Sequence, residues 1–113
     1  MPNPTIHIHV DQDGNFTYTP AAKHAKDDET INWRCDDGSF TVSFVDRTPF
    51  EKVDFYGPKG QDSPNPPQGF RDGVEPGVYH YVVAVAREVR DKEGRSATRV
   101  FINGGCPEII IET

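Results

Sequence analysis

Apolar and polar residues alternate with a period of two along most of the chain. "TIHIHV" sends Ile6, Ile8 and Val10 one way and His7 and His9 the other. "ETINWRC" puts Ile31, Trp33 and Cys35 on one face, and "SFTVSF" does the same with Phe40, Val42 and Phe44. In "GVYHYVVAV", Tyr79, Tyr81, Val83 and Val85 oppose Val78, His80, Val82 and Ala84. Strict alternation marks half-buried strands, because successive side chains leave a strand on opposite faces. Residues 29–35 and 39–44 flank "DDG" and read as a hairpin. "DQDGN" reads as a turn before the short piece "FTYTP", and "RDKEGR" as a polar turn between 78–89 and "ATRVFI". "PEIIIE" closes the chain. "VFI" and "EIII" are apolar on both faces, which suggests a central strand or a dimer contact.

The pattern breaks down between residues 49 and 76. "PFEKVDFYG" reads as a short turn of helix or strand. "PKGQDSPNPPQGF" is dense in proline, which lacks a backbone donor, and reads as an exposed loop. Segment 57–69 is therefore expected to be the most mobile part of the chain, and either a partner-binding element preorganised by its prolines or a tolerated surface insertion with no role. No segment shows a sustained helical period. Short strands with turn signals at regular intervals predict an all-β fold: an antiparallel sandwich of about seven or eight strands. A length of 113 residues fits one domain spanning 1–113.

Composition narrows the function classes. Hydrophobic content is only 35% but aromatic content is 11%, so a core rich in Phe and Tyr is expected. A net charge of −6 disfavours nucleic acid and anionic membranes as partners. No apolar run approaches the roughly 20 residues of a membrane-spanning helix. "MPNPTIHIHV" lacks a basic region followed by an apolar stretch, so the expected location is the cytoplasm. The alternative is a periplasmic or secreted protein with its signal removed.

Several elements line up in order: Gly14-x-Phe16 leading to Pro20, then Asp28-Glu29-Thr30-Ile31-x-Trp33, then Phe40-Thr41-Val42-x-Phe44. Pro76-Gly77-x-Tyr79-x-Tyr81 and the closing Pro107-Glu108-Ile109-Ile110-Ile111 follow. Together they resemble a cupredoxin-like domain over nearly the whole chain, of the small uncharacterised bacterial kind that ends in a "DP-x-I-I-I" strand. The resemblance implies a Greek-key sandwich. In copper-carrying members it also implies two His, a Cys and usually a Met, the set that blue copper requires. Carried over, the first His would fall at or beside Phe40 and the Cys at Val83. "AVAREVRDKEGR" beyond it holds neither His nor Met, and Met1 is the sole methionine. The resemblance thus implies a domain without a type 1 copper site, in which Val83 and Val85 fill the space of the metal. The function expected is a non-catalytic protein-interaction or structural module, needing no cofactor, with an unknown protein partner. It would be a monomer or a homodimer.

Other residues carry competing chemistry. His7 and His9 share a face and could pinch a divalent metal, which gives the alternative of a metal-binding or electron-transfer protein; the plainer reading is a solvated outer face. His24 and His80 would complete such a site only if the fold brought them there. The resemblance puts Cys35 and Cys106 at one pole, where a disulfide would close a loop of about 70 residues. The alternative is two reduced thiols packed as small apolar groups. Asp27-Asp28-Glu29 and Asp36-Asp37 read as turn residues before they read as calcium ligands or acid–base pairs. Trp33 reads as core, and Tyr79 as a corner tyrosine that caps a loop with its hydroxyl. No Ser-His-Asp order, phosphate-binding glycine loop or Cys-His pair supports catalysis, so a small hydrolase ranks last.

Overall fold

The computed structural model describes residues 3–103 and 107–112. It is all-β, with ten strands: β1 Thr5–Val10, β2 Phe16–Thr19, β3 Ala22–Lys26, β4 Thr30–Cys35, β5 Ser39–Phe44, β6 Asp54–Gly57, β7 Ser63–Gly69, β8 Gly77–Arg90, β9 Ser96–Ile102 and β10 Glu108–Glu112. They form a four-stranded sheet in the order β2-β1-β4-β7 and a six-stranded sheet in the order β3-β10-β8-β5-β6, with β9 beside β8. The two sheets enclose one core in a sandwich-like arrangement.

Three sequence expectations need correction. The sheets are mixed, not purely antiparallel: β1 runs parallel to β4, and β3 parallel to β10. Parallel neighbours need a crossover, and the chain supplies one each time it leaves a sheet and returns. There are ten strands rather than seven or eight, because β3, β6 and β7 also pair. Finally, β4 and β5 are not a hairpin. β4 pairs with β1 and β7, whereas β5 pairs with β6 and β8 in the other sheet. Alternation reveals which face of a strand is buried but not which sheet it joins. The chain passes between the sheets at Gly38, where a Cβ would come within 2.3 Å of the Ala86 carbonyl oxygen. Only glycine fits there without backbone displacement.

The proline-rich segment is also more ordered than expected. β7 pairs with β4 through Thr30↔Gly69, Ile31↔Gln68 and Trp33↔Ser63, with a register shift between Ile31 and Trp33. Pro64, Pro66 and Pro67 lie in that irregular stretch of an edge strand. An edge position and a bulge are the two places where a residue without N–H costs no ladder hydrogen bond.

The core is aromatic, as composition suggested. Trp33 is fully buried and meets Phe44, Phe50, Phe55 and Tyr81, with ring centroids 6.2, 6.0, 5.3 and 5.6 Å away. Edge-on and tilted rings at these separations suit the aromatic quadrupole. Phe50 and Phe55 come from the region where the alternation failed. Tyr79 plays the expected corner role, its hydroxyl donating to the Glu75 carbonyl at 2.6 Å.

β8 is 14 residues long and organises the six-stranded sheet. Its first part pairs with β10, its middle with β5 and its last part with β9. At about 3.3 Å per residue it outruns the sheet that covers it. Residues 88–90 and 96–98 continue as a two-stranded arm, and the molecule measures 54 × 25 × 21 Å. Arg87 fixes the base of the arm. It donates to the Val10 carbonyl at 3.1 Å and the Asp11 carbonyl at 3.0 Å, and stacks 4.6 Å from the Phe101 ring centroid.

Both tight turns use one device. In Asp11–Gly14–Asn15 and again in Asp91–Gly94–Arg95, the first residue closes the turn by donating its N–H to the last carbonyl at 3.0 Å. The Asp carboxylate accepts from the N–H groups two and four residues on, and the glycine sits at φ 85 or 81. That left-handed conformation suits glycine.

Two outcomes are expected. Trp33→Ala should destabilise by about 3–5 kcal/mol in urea melts, because the ring is wholly enclosed; a loss near zero would contradict this core. The second concerns Asp11, whose carboxyl is held below its ordinary pKa chiefly by the Asn15 backbone N–H. A lowered native pKa stabilises fully above the unfolded value of about 4 and loses that contribution as pH falls through the native value. The urea midpoint gap between wild type and Asp11→Ala should therefore be widest at neutral pH and close in acid; a gap independent of pH would contradict it.

Candidate functional site

His7 and His9 stand on the outward-facing side of β1, their rings near-parallel with centroids 6.3 Å apart. The register sets His7 between Thr19 and Arg34, and His9 beside Thr17. Arg34 is held there by Asp36 at 2.9 Å and Asp62 at 3.6 Å. The other two histidines lie on the six-stranded sheet. His24 Nδ1 meets Glu112 at 2.5 Å and His80 Nδ1 lies 3.7 Å from Glu108. The fold therefore does not bring His24 or His80 to His7 and His9. Among the described residues no three His, Cys, Asp or Glu side chains gather as a metal site.

Cys35 ends β4 inside the core and is fully buried. Burial pushes its thiol pKa up, against smaller opposing contributions from the Asp37 and Gly38 backbone. The pairing of Cys35 with Cys106 involves a residue outside the described ones, as does the Gly104-Gly105 turn. The acidic runs act in turns, as expected: Asp37 accepts the Val10 N–H at 2.9 Å and Asp36 accepts from Arg34. Val83 and Val85 are fully buried. The Trp33 indole N–H and the Tyr81 hydroxyl are buried without a hydrogen-bond partner among the described residues, and burial raises the phenol pKa far above its usual value.

The distinctive surface is the solvent face of the six-stranded sheet. Residues directly opposite in a ladder share a face. Thr41 opposes Tyr56 on one side and Ala84 on the other, and Ala84 opposes Ile102. One row thus reads Tyr56, Thr41, Ala84, Ile102. The next reads Ser39, Ala86, Val100. Small side chains form the middle and large apolar ones the rims. Tyr56, Val100 and Ile102 are 65%, 61% and 72% exposed, and neither row carries a charge.

This face ends at β9, and the ladder shows which backbone groups remain open. The Asn103 N–H donates to the Val83 carbonyl and the Asp91 N–H to the Arg95 carbonyl, both at 3.0 Å, bracketing the β8–β9 ladder. In antiparallel pairing hydrogen-bonded and non-bonded pairs alternate. Ala97, Arg99 and Phe101 therefore bond to β8, while Ser96, Thr98, Val100 and Ile102 direct N–H and C=O away from it. The other edges are blunted. β7 carries three prolines, β3 carries Lys23 and Lys26, and β2 and β6 are four residues each. These are the usual protections against edge pairing. β9, "SATRVFI", is seven residues with no Pro, Gly or Lys, and all but Phe101 are exposed.

The two-faced apolarity of "VFI" and "EIII" does not by itself locate either strand in a sheet. β10 is an interior strand, lying between β3 and β8, and β9 is an open edge.

No protein-family model matches the chain, and no curated protein or solved structure matches it either. The functional reading rests on the chain's own surfaces.

The buried thiol gives a direct check. In a Cys106→Ser variant, Cys35 should react with a thiol reagent only as fast as the protein unfolds, since access and ionisation are both suppressed. Rapid modification of the native protein would contradict its burial.

Proposed function

We propose that this chain is a non-catalytic interaction domain of cupredoxin-like architecture without a type 1 copper site. It docks a protein partner on the solvent face of the six-stranded sheet at β9. The observation that carries the reading is the uncharged surface bounded by Tyr56, Val100 and Ile102, in a chain where 27% of residues are charged. Single exposed apolar residues are ordinary, but contiguous ones at a sheet edge mark association surfaces. Support for the copper-free part comes from Val83, which is packed into the core at the position where the resemblance would put a thiolate.

Affinity capture from an extract of the source cells tests the reading through a comparison of variants. Proteins retained by the wild type should be lost with Ile102→Lys and kept with Lys23→Ala, which alters a different edge. Equal retention by all three, with unchanged melting, would remove this face as the docking surface.

A further inference from the structure

Resting on that reading, we infer that β9 takes up an extended strand from another protein, one that carries a carboxylate opposite Arg99 and apolar side chains on either side of it. The backbone sets the mode of binding. Ser96, Thr98, Val100 and Ile102 present N–H and C=O groups along an open edge, and an added strand pairs with such groups. Their own side chains lie on the solvent face, so the residues of the incoming strand that pair with them extend the apolar rows of Val100 and Ile102.

Charge sets the chemistry of the occupant. Arg99 projects to the opposite face of β9, its guanidinium 5.3 Å from the Phe101 ring centroid. Among the described residues no carboxylate pairs with it, whereas Arg95 is held by Asp91 and Glu93. An incoming residue directly across from Arg99 lies within reach of its guanidinium, and opposite charges across a ladder stabilise the pair. A second copy of this chain fits less well. Antiparallel β9 pairing centred on Arg99 opposes the two arginines. Centring it on Thr98 or Val100 sets Arg99 against Ala97 or Phe101, so none of these registers gives it an acid. Each copy also carries a net charge of −6.

The probes are two capped peptides, Val-Thr-Val-Glu-Val-Thr-Val and its counterpart with a central Lys, titrated by calorimetry into the intact protein. The Glu peptide should bind about tenfold more tightly than the Lys peptide. Arg99→Glu should reverse that order. Val100→Pro, which deletes an outward N–H and leaves the β8 ladder intact, should abolish binding of both without lowering the melting temperature. Arg99→Glu keeps the test decisive if the proline variant fails to fold. Equal affinities for the two peptides would overturn the acidic assignment, and binding that survives Val100→Pro would overturn strand addition. A free protein that sediments as a dimer, and as a monomer once Val100→Pro is introduced, would show that a second copy occupies the edge. If neither peptide binds while Ile102→Lys still loses the captured partner, the strand proposal falls and the interaction surface stands. If that capture is also insensitive to Ile102→Lys, both fall.

Discussion

The length of β8 is the constraint on which the rest of the molecule depends. Its buried face, Tyr79, Tyr81, Val83 and Val85, closes the core against Trp33 from the facing sheet. Its early residues pair with β10 and its middle with β5, so the sandwich is complete before β8 ends. Among the described residues the remainder pairs with β9 alone, and β9 with β8 alone. An edge that the sandwich itself does not cover follows from that mismatch. Arg87 keeps the arm from being a loose hairpin, because it joins the arm to the β1–β2 turn through two carbonyls and the Phe101 ring.

Most strands legible in the sequence alternate between more and less buried side chains, as in β1, β2, β5 and β8. The two that were not legible, β3 and β7, and β6, readable only as a turn of helix or strand, are all edge strands. In "AKHAK" only Ala25 is buried, so no apolar period exists to be read. In β7 the prolines suppress the strand signal, yet they sit where the ladder does not need a donor. The misplaced hairpin has a related cause. Trp33 and Phe44 both face the core, but from opposite sheets, and a period of two is blind to that difference. Trp33 as core and Tyr79 as a loop cap were readable because burial and a single local hydrogen bond define them. The open edge was not, because it depends on which strands fail to receive a neighbour.

The treatment of the edges distinguishes this surface from ordinary exposed sheet. Proline, lysine and short length protect the others, while β9 combines β-branched residues, an arginine without a carboxylate partner among the described residues and a row of outward amides. Unprotected edges invite aggregation, and of the usual defences β9 carries only the single charge of Arg99. The proposed partner strand would cover it. The histidines offer less: His7 and His9 share a face, but with Arg34 beside them, and His24 and His80 are engaged with carboxylates on the other sheet.

Native-state amide hydrogen exchange on the free protein tests the open edge most directly. The account predicts alternation along β9: slow exchange at Ala97, Arg99 and Phe101, which bond to β8, and fast exchange at Ser96, Thr98, Val100 and Ile102. Protection of the second set in the free protein would mean that the edge is already covered. Fast exchange at both sets would mean that the arm is not formed. Either result would contradict the account.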